Sequence, residues 1–129
     1  MQQYELRGQQ WIETYKSMIT LSIEGFKYSA LANGGAAVAI LAYLGNVSGK
    51  GQPIPDMSMP MILFSFGMIC CGLAMIFSYL TQFYLLSDLA KIRKAKKTHL
   101  LFLLASFSFF VISLIVFGFG SWQAIGQFR

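Results

Sequence analysis

The sequence has little charge, and its charged residues are unevenly distributed. Only 12% of the 129 residues are Asp, Glu, Lys or Arg, while 56% are hydrophobic. Three long stretches carry none of the four charged residue types: 28–49, 57–87 and 98–128. A helix needs roughly 20 mostly apolar residues to cross a hydrocarbon core of about 30 Å. The three stretches therefore predict three transmembrane helices.

Motifs for catalysis and for metal or cofactor binding are also missing. The chain has one His, and its two Cys, Cys70 and Cys71, are adjacent, without the CxxC spacing of redox and zinc sites. No carboxylate lies inside the uncharged stretches, and we expect Glu24 and Asp88 at the membrane edges. This argues against a proton relay, an ion-coupled transport site or a voltage sensor. We expect no enzyme, no cofactor and no metal site.

The net charge of +5 comes largely from one segment. Five of the ten basic residues lie there, within seven positions: Lys91, Arg93, Lys94, Lys96 and Lys97. No nucleic-acid motif accompanies them, so we expect no nucleic-acid partner. A basic cluster beside a span is typical of the cytoplasmic side, and such clusters also bind anionic lipid. With this segment in the cytoplasm, the N-terminus is cytoplasmic, and the loop over 48–60 and the C-terminus lie outside.

The predicted fold class is an all-α integral membrane protein, with an N-terminal amphipathic helix plus three transmembrane helices in one membrane domain. The spans are predicted at about 26–47, 60–86 and 99–121. The amphipathic helix is predicted over 3–27, where apolar residues recur at steps of three and four. This helix either lies on the membrane surface or packs against copies of itself or a cytoplasmic protein partner.

Small residues form stripes on the predicted spans. In lipid there is little hydrophobic drive between helices, so close approach through small residues takes its place. Two stripes are predicted as helix-packing positions, on the first and second spans respectively: Ala32, Gly35, Ala39, Ala42; and Gly67, Cys71, Ala74, Ser78. On the third span a seven-residue repeat is typical of helices crossing at about +20°: Ser106, Ser113, Gly120.

These stripes serve either a monomeric three-helix bundle or contacts between copies. We favour a homo-oligomer, because a first span so poor in bulky side chains gains little from facing membrane lipid. Asn33 is the one strongly polar side chain well inside the first span. It either bonds to a neighbouring helix, for about 0.6 kcal/mol, or lines a polar constriction between several copies.

The stretch NGGAAVAILAYLGN, residues 33–46, resembles a group of small uncharacterised bacterial and prophage inner-membrane proteins. In these a polar N-terminal helix leads into a first span rich in Gly and Ala. The resemblance implies the bacterial inner membrane and a membrane effector or pore-former in a phage or phage-defence context. Our leading hypothesis is a non-enzymatic protein that self-associates and alters membrane permeability, holin-like or phage-defence-effector-like.

Two alternatives remain open. The first is an accessory or anchor subunit that recruits a cytoplasmic partner through its N-terminal helix. The second is a small channel or carrier subunit, for which the sequence shows no substrate site.

Overall fold

The structure is a computed structural model that describes residues 2–50, 53–89 and 98–127. In these residues it has three helices and no strand: α1 Gln2–Ser48, α2 Ser58–Leu89 and α3 Thr98–Gly126. All three are long and apolar enough to cross a membrane. The predicted all-α class is confirmed, and the three helices indicate a multi-pass membrane protein.

The helix α1 differs from the prediction because it is one continuous helix of 47 residues. The predicted amphipathic helix over 3–27 and the predicted first span over 26–47 belong to this one element, which runs unbroken through Gly25. A separate amphipathic helix is not shown. A glycine inside a helix costs only about 1 kcal/mol, and no proline interrupts the segment. At 1.5 Å per residue α1 is about 70 Å long, roughly twice the thickness of the hydrocarbon core.

A short connection joins α1 to α2. Its last turn before α2 is held by Asp56, whose Oδ1 accepts a hydrogen bond from the Ser58 backbone N–H at 3.0 Å. Hydrogen bonds from Ser58 hold the pKa of the Asp56 carboxyl below its usual value of 3.8. Pro60 then lies in the first turn of α2, where its missing N–H leaves no helical bond unmade.

The helices α2 and α3 form an antiparallel pair with the most extensive interface in the described chain. Aromatic rings fill one end of this interface, where Phe77 stacks on Phe102 and Phe109 with ring centroids 6.1 and 5.5 Å apart. Tyr84 also stacks on Phe102, at 5.2 Å. The helix α1 packs mainly on α2 and touches α3 over a short stretch.

The interior combines a small apolar cluster, Ile40, Met57 and Phe64, with several polar side chains. Polar and small residues lie inside, among them Ser29, Asn33, Ser106 and Ser113. Several large apolar side chains are exposed on each of the three helices. An extensive apolar exterior of this kind marks a surface that contacts lipid or another protein.

Candidate functional site

A cluster of buried polar groups joins all three helices near the middle of the bundle. We call Ser29 and Asn33 of α1, Gly67 of α2 and Ser113 of α3 the polar cluster. The Ser113 hydroxyl donates to the Gly67 carbonyl at 2.7 Å, and its oxygen lies 2.7 Å from the Ser29 Oγ. Asn33 Nδ2 donates to the Ser29 carbonyl at 3.0 Å and to Ser113 Oγ at 3.3 Å. Ser113 is therefore the hub, giving one hydrogen and accepting two.

Gly67 is required for this arrangement. A Cβ at this position would lie 2.7 Å from Asn33 Cγ and still closer to its Oδ1, so no other residue fits without displacing the amide. Asn33 Oδ1 is buried and has no hydrogen-bond partner among the described residues. It faces a Cα–H of Gly67, a contact that is weaker than an N–H hydrogen bond. The close approach of α1 and α2 thus depends on Gly67 and Asn33 together.

The structure places Asn33 in the interior of one chain. The side chain is fully buried and bonds to a serine of a neighbouring helix, as the first of the two alternatives expects. A polar constriction between copies does not fit this placement, because the amide faces the interior of one chain. Sequence reasoning singled out Asn33 but missed Ser29 and Gly67 as its partners. The signal was the four-residue spacing of Ser29 and Asn33 on one helix face.

The predicted packing positions on α2 face the other helices. Gly67, Cys71 and Ala74 are buried, and Ser78 is half-buried. The Cys71 thiol donates to the Phe26 carbonyl of α1 at 3.3 Å.

The seven-residue repeat on α3 is also buried. Ser106, Ser113 and Gly120 lie inside, and the Ser106 hydroxyl donates to the Ala74 carbonyl of α2 at 2.8 Å. A Cβ at Gly120 would lie 3.0 Å from the Phe64 ring. Small residues thus set the separation of α2 and α3.

The predicted stripe on the first span lies elsewhere. Gly35, Ala39 and Ala42 are exposed, Ala32 is half-buried, and a Cβ at Gly35 would meet nothing within 4 Å. Within one chain Gly35, Ala39 and Ala42 are thus not buried against another helix, and as contacts between copies the stripe stays a prediction. The buried face of α1 is instead formed by Ser29, Asn33, Ile40 and Val47. Ser29 and Asn33 are buried within hydrogen-bonding distance of α3. They fix the rotation of α1 about its axis, because unpaired polar groups are costly in lipid.

The outer face of α1 is the side turned away from α2 and α3. Its exposed residues recur at three- and four-residue steps: Thr20, Glu24, Lys27, Leu31, Gly35, Val38 and Ala42. The first half of this face is polar, and Lys27 Nζ lies 2.8 Å from Glu24 Oε1 with both side chains about two-thirds exposed, 67% and 63%. The second half alternates large apolar residues, Leu31 and Val38, with the small residues Gly35 and Ala42.

Glu24 lies away from the ends of α2 and α3. Its neighbours Gly25 and Phe26 pack against Phe110, in the middle of α3, and Phe26 also accepts the thiol bond from Cys71, in the middle of α2. Glu24 therefore lies level with the centre of the helix pair and not at its edge. Gly25 is the midpoint of α1, so α1 is centred on the α2–α3 pair.

A crevice of about 300 Å³ lies between α1 and α3, with α2 at its base. Its walls are mostly apolar, with Leu21, Phe107 and Phe110 among them. Two of its hydroxyls bond to backbone carbonyls: Ser22 to Met18 at 2.9 Å and Ser106 to Ala74. The crevice therefore offers space for an apolar molecule and no acid or base.

The predicted basic cluster lies outside the residues that the structure describes: Lys91, Arg93, Lys94, Lys96 and Lys97. Cys70 and Cys71 are free thiols. In the residues that the structure describes, no group of three or more His, Cys, Asp or Glu is placed to hold a metal ion.

No protein-family model, no curated protein and no solved structure matches this chain. The resemblance of residues 33–46 to small bacterial and prophage membrane proteins thus stays an expectation. The function has to be argued from the polar cluster, the outer face of α1 and the apolar exterior.

Proposed function

We propose that this protein is a non-enzymatic membrane protein that self-associates and alters membrane permeability, in the manner of a holin or a phage-defence effector. The observation that carries the proposal is the outer face of α1, where Gly35 and Ala42 are exposed, with Ala39 exposed beside it. Close contact between membrane helices depends on such small residues, because lipid provides little hydrophobic drive for association.

On α2 and α3 the exposed positions include large side chains such as Ile69, Ile76, Phe107 and Ile115, and the outer face of α1 also exposes Leu31 and Val38. Such side chains make extensive contact with lipid tails, whereas Gly35 and Ala42 make little. These small positions gain more from contact with another helix than from contact with lipid.

The expected location is the bacterial inner membrane with a cytoplasmic N-terminus and an external C-terminus. Support comes from the basic segment between α2 and α3, which carries five Lys or Arg within residues 91–97. Short segments of this kind are retained on the cytoplasmic side. Membrane lipid is then the main partner besides other copies of the chain.

Dye release from liposomes tests the proposal. Wild-type protein is expected to release an encapsulated dye as the protein-to-lipid ratio rises, and Gly35→Leu is expected to reduce both release and oligomer formation. Gly72→Leu is the matched control, since Gly72 is exposed on α2 and a Cβ there meets nothing within 4 Å. Intact vesicles at high wild-type density would refute the permeability function.

A second function, an accessory subunit that recruits a cytoplasmic partner, is favoured by the N-terminal end of α1. The 13 residues Gln2–Thr14 precede Tyr15, whose hydroxyl hydrogen-bonds to Gln82 of α2. Trp11 and Ile12 are exposed in this end, at 71% and 51%. Stoichiometric copurification of one protein from native membranes, lost in Trp11→Glu and retained in Gly35→Leu, would support this role over self-association.

A further inference from the structure

The packing of the three helices places an exposed ion pair deep in the bundle. Glu24 and Lys27 flank Gly25 and Phe26, and Phe26 makes an edge-to-face contact with Phe110 at 5.6 Å between ring centroids. A Cβ at Gly25 would lie 3.3 Å from the Phe110 ring. The depth of Phe110 therefore gives the depth of the ion pair.

Phe110 and Cys71 both lie near the centre of their helices. Phe110 is the 13th of the 29 residues of α3, about 18 Å from its first residue and about 24 Å from its last. Cys71, which bonds to the Phe26 carbonyl, is the 14th of the 32 residues of α2, about 20 Å and 27 Å from the two ends. When a hydrocarbon core of about 30 Å is centred on α2 and α3, the ion pair lies well inside it.

A charged pair facing lipid at this depth is unfavourable. Charged side chains inside membranes almost always face protein or water, and lysines that reach the interface do so from near helix ends. Glu24 and Lys27 face neither α2 nor α3, since both side chains are about two-thirds exposed at 63% and 67%. The single chain is therefore incomplete at this place.

We propose that the charged half of the outer face of α1 is an interface between copies of this chain within the membrane, where Glu24 of one copy pairs with Lys27 of its neighbour. The inference rests on the proposed self-association and names the surface responsible for it. The argument for a second copy is charge complementarity. One acid and one base lie on the same helix face about 4.5 Å apart along the axis, so two parallel copies related by a two-fold axis complement each other twice.

Leu31, Gly35, Val38 and Ala42 continue the same face toward the C-terminal end of α1, and all four are exposed. The small residues among them permit close approach of two helices, beginning about 12 Å along the axis from Lys27.

Two charge-reversal variants, each with one substitution, test the interface. Glu24→Lys and Lys27→Glu are each made in the full chain, labelled with donor and acceptor dyes, and reconstituted in liposomes, where energy transfer measures association. Each variant alone is expected to associate at least about tenfold more weakly than wild type, because like charges then face each other. An equimolar mixture of the two variants is expected to regain energy transfer, which a pair within one chain cannot produce.

Glu13→Lys and Lys16→Glu are the matched controls, with the same spacing on the same side of α1 but toward its N-terminal end. They are expected to change association by less than about twofold, as exposed pairs near water contribute little.

Recovery of association in the mixture also shows that both Glu24 and Lys27 variants fold. Variants that each associate like wild type, or a mixture that stays apart, would overturn the interface. Dye release by Glu24→Lys and by Lys27→Glu at the wild-type level would overturn the interface alone. Wild-type protein that stays monomeric and leaves the vesicles intact would overturn the proposed function as well.

Discussion

The interface between α2 and α3 relies more on aromatic rings, whereas the attachment of α1 relies more on side-chain hydrogen bonds. The α2–α3 interface has stacked rings at one end, Phe77 among them, and small residues along its length. The helix α1 is held by the polar cluster, where the Ser113 hydroxyl connects all three helices. Ring contacts are numerous and tolerate small shifts, whereas hydrogen bonds are few and directional. The position of α1 therefore depends on single residues to a degree that the α2–α3 pair does not.

The largest expected effect comes from filling the space at Gly67. Gly67→Val should displace Asn33 and break the polar cluster, at a cost of roughly 3 kcal/mol from overpacking and unpaired polar groups. The free energy of unfolding in detergent or bicelles measures this. Gly72→Val is the control, since a Cβ at Gly72 meets nothing within 4 Å. Equal stability of the two variants would show that Asn33 and Gly67 are not in contact.

Removal of the hub hydroxyl should have the next largest effect. Ser113→Ala leaves the Gly67 carbonyl, the Ser29 hydroxyl and one Asn33 donor without their shared partner, and we expect a loss of about 1–2 kcal/mol. Hydrogen exchange of α1 amides should rise more than that of α2. Ser108→Ala on the exposed side of α3 is the control and should leave exchange unchanged.

Truncation of a stacked ring should separate the two kinds of interface. Phe77→Ala is expected to cost about 1 kcal/mol, since aromatic pairs contribute about 0.5–1.5 kcal/mol beyond their buried area. It should loosen α2 and α3 and leave the protection of α1 amides near Ser29 as in wild type. Faster exchange around Ser29 in this variant would mean that α1 depends on the rings as well.

The smallest effect is expected in the connection between α1 and α2. Because the folded-state pKa of Asp56 is lowered from 3.8, its hydrogen bonds from Ser58 stabilise the start of α2 above that pH and are lost as pH falls below it. Stability should therefore decline slightly below about pH 4 in wild type and not in Asp56→Asn. A pH titration of helix content in liposomes or detergent measures the difference. The same decline in both proteins would assign it to other groups.

The sequence predicted the elements better than their mutual arrangement. Uncharged stretches located the three helices, and the small residues of α2 and α3, such as Gly67 and Ser106, are buried. The stripe on α1 failed because small residues are so frequent there that spacing alone could not select a face. Ser29 and Asn33 select it, since both must find hydrogen-bond partners on α3.

Length and charge distribution by themselves determined that the chain forms three apolar helices, because each uncharged stretch exceeds the thickness of a hydrocarbon core. Only the tertiary structure decided how far α1 slides along its partners. The contacts of Phe26 with Phe110 and Cys71 set that register, and with it the depth of Glu24 and Lys27. Depth is a property of three helices packed together, so no pattern within one helix could give it.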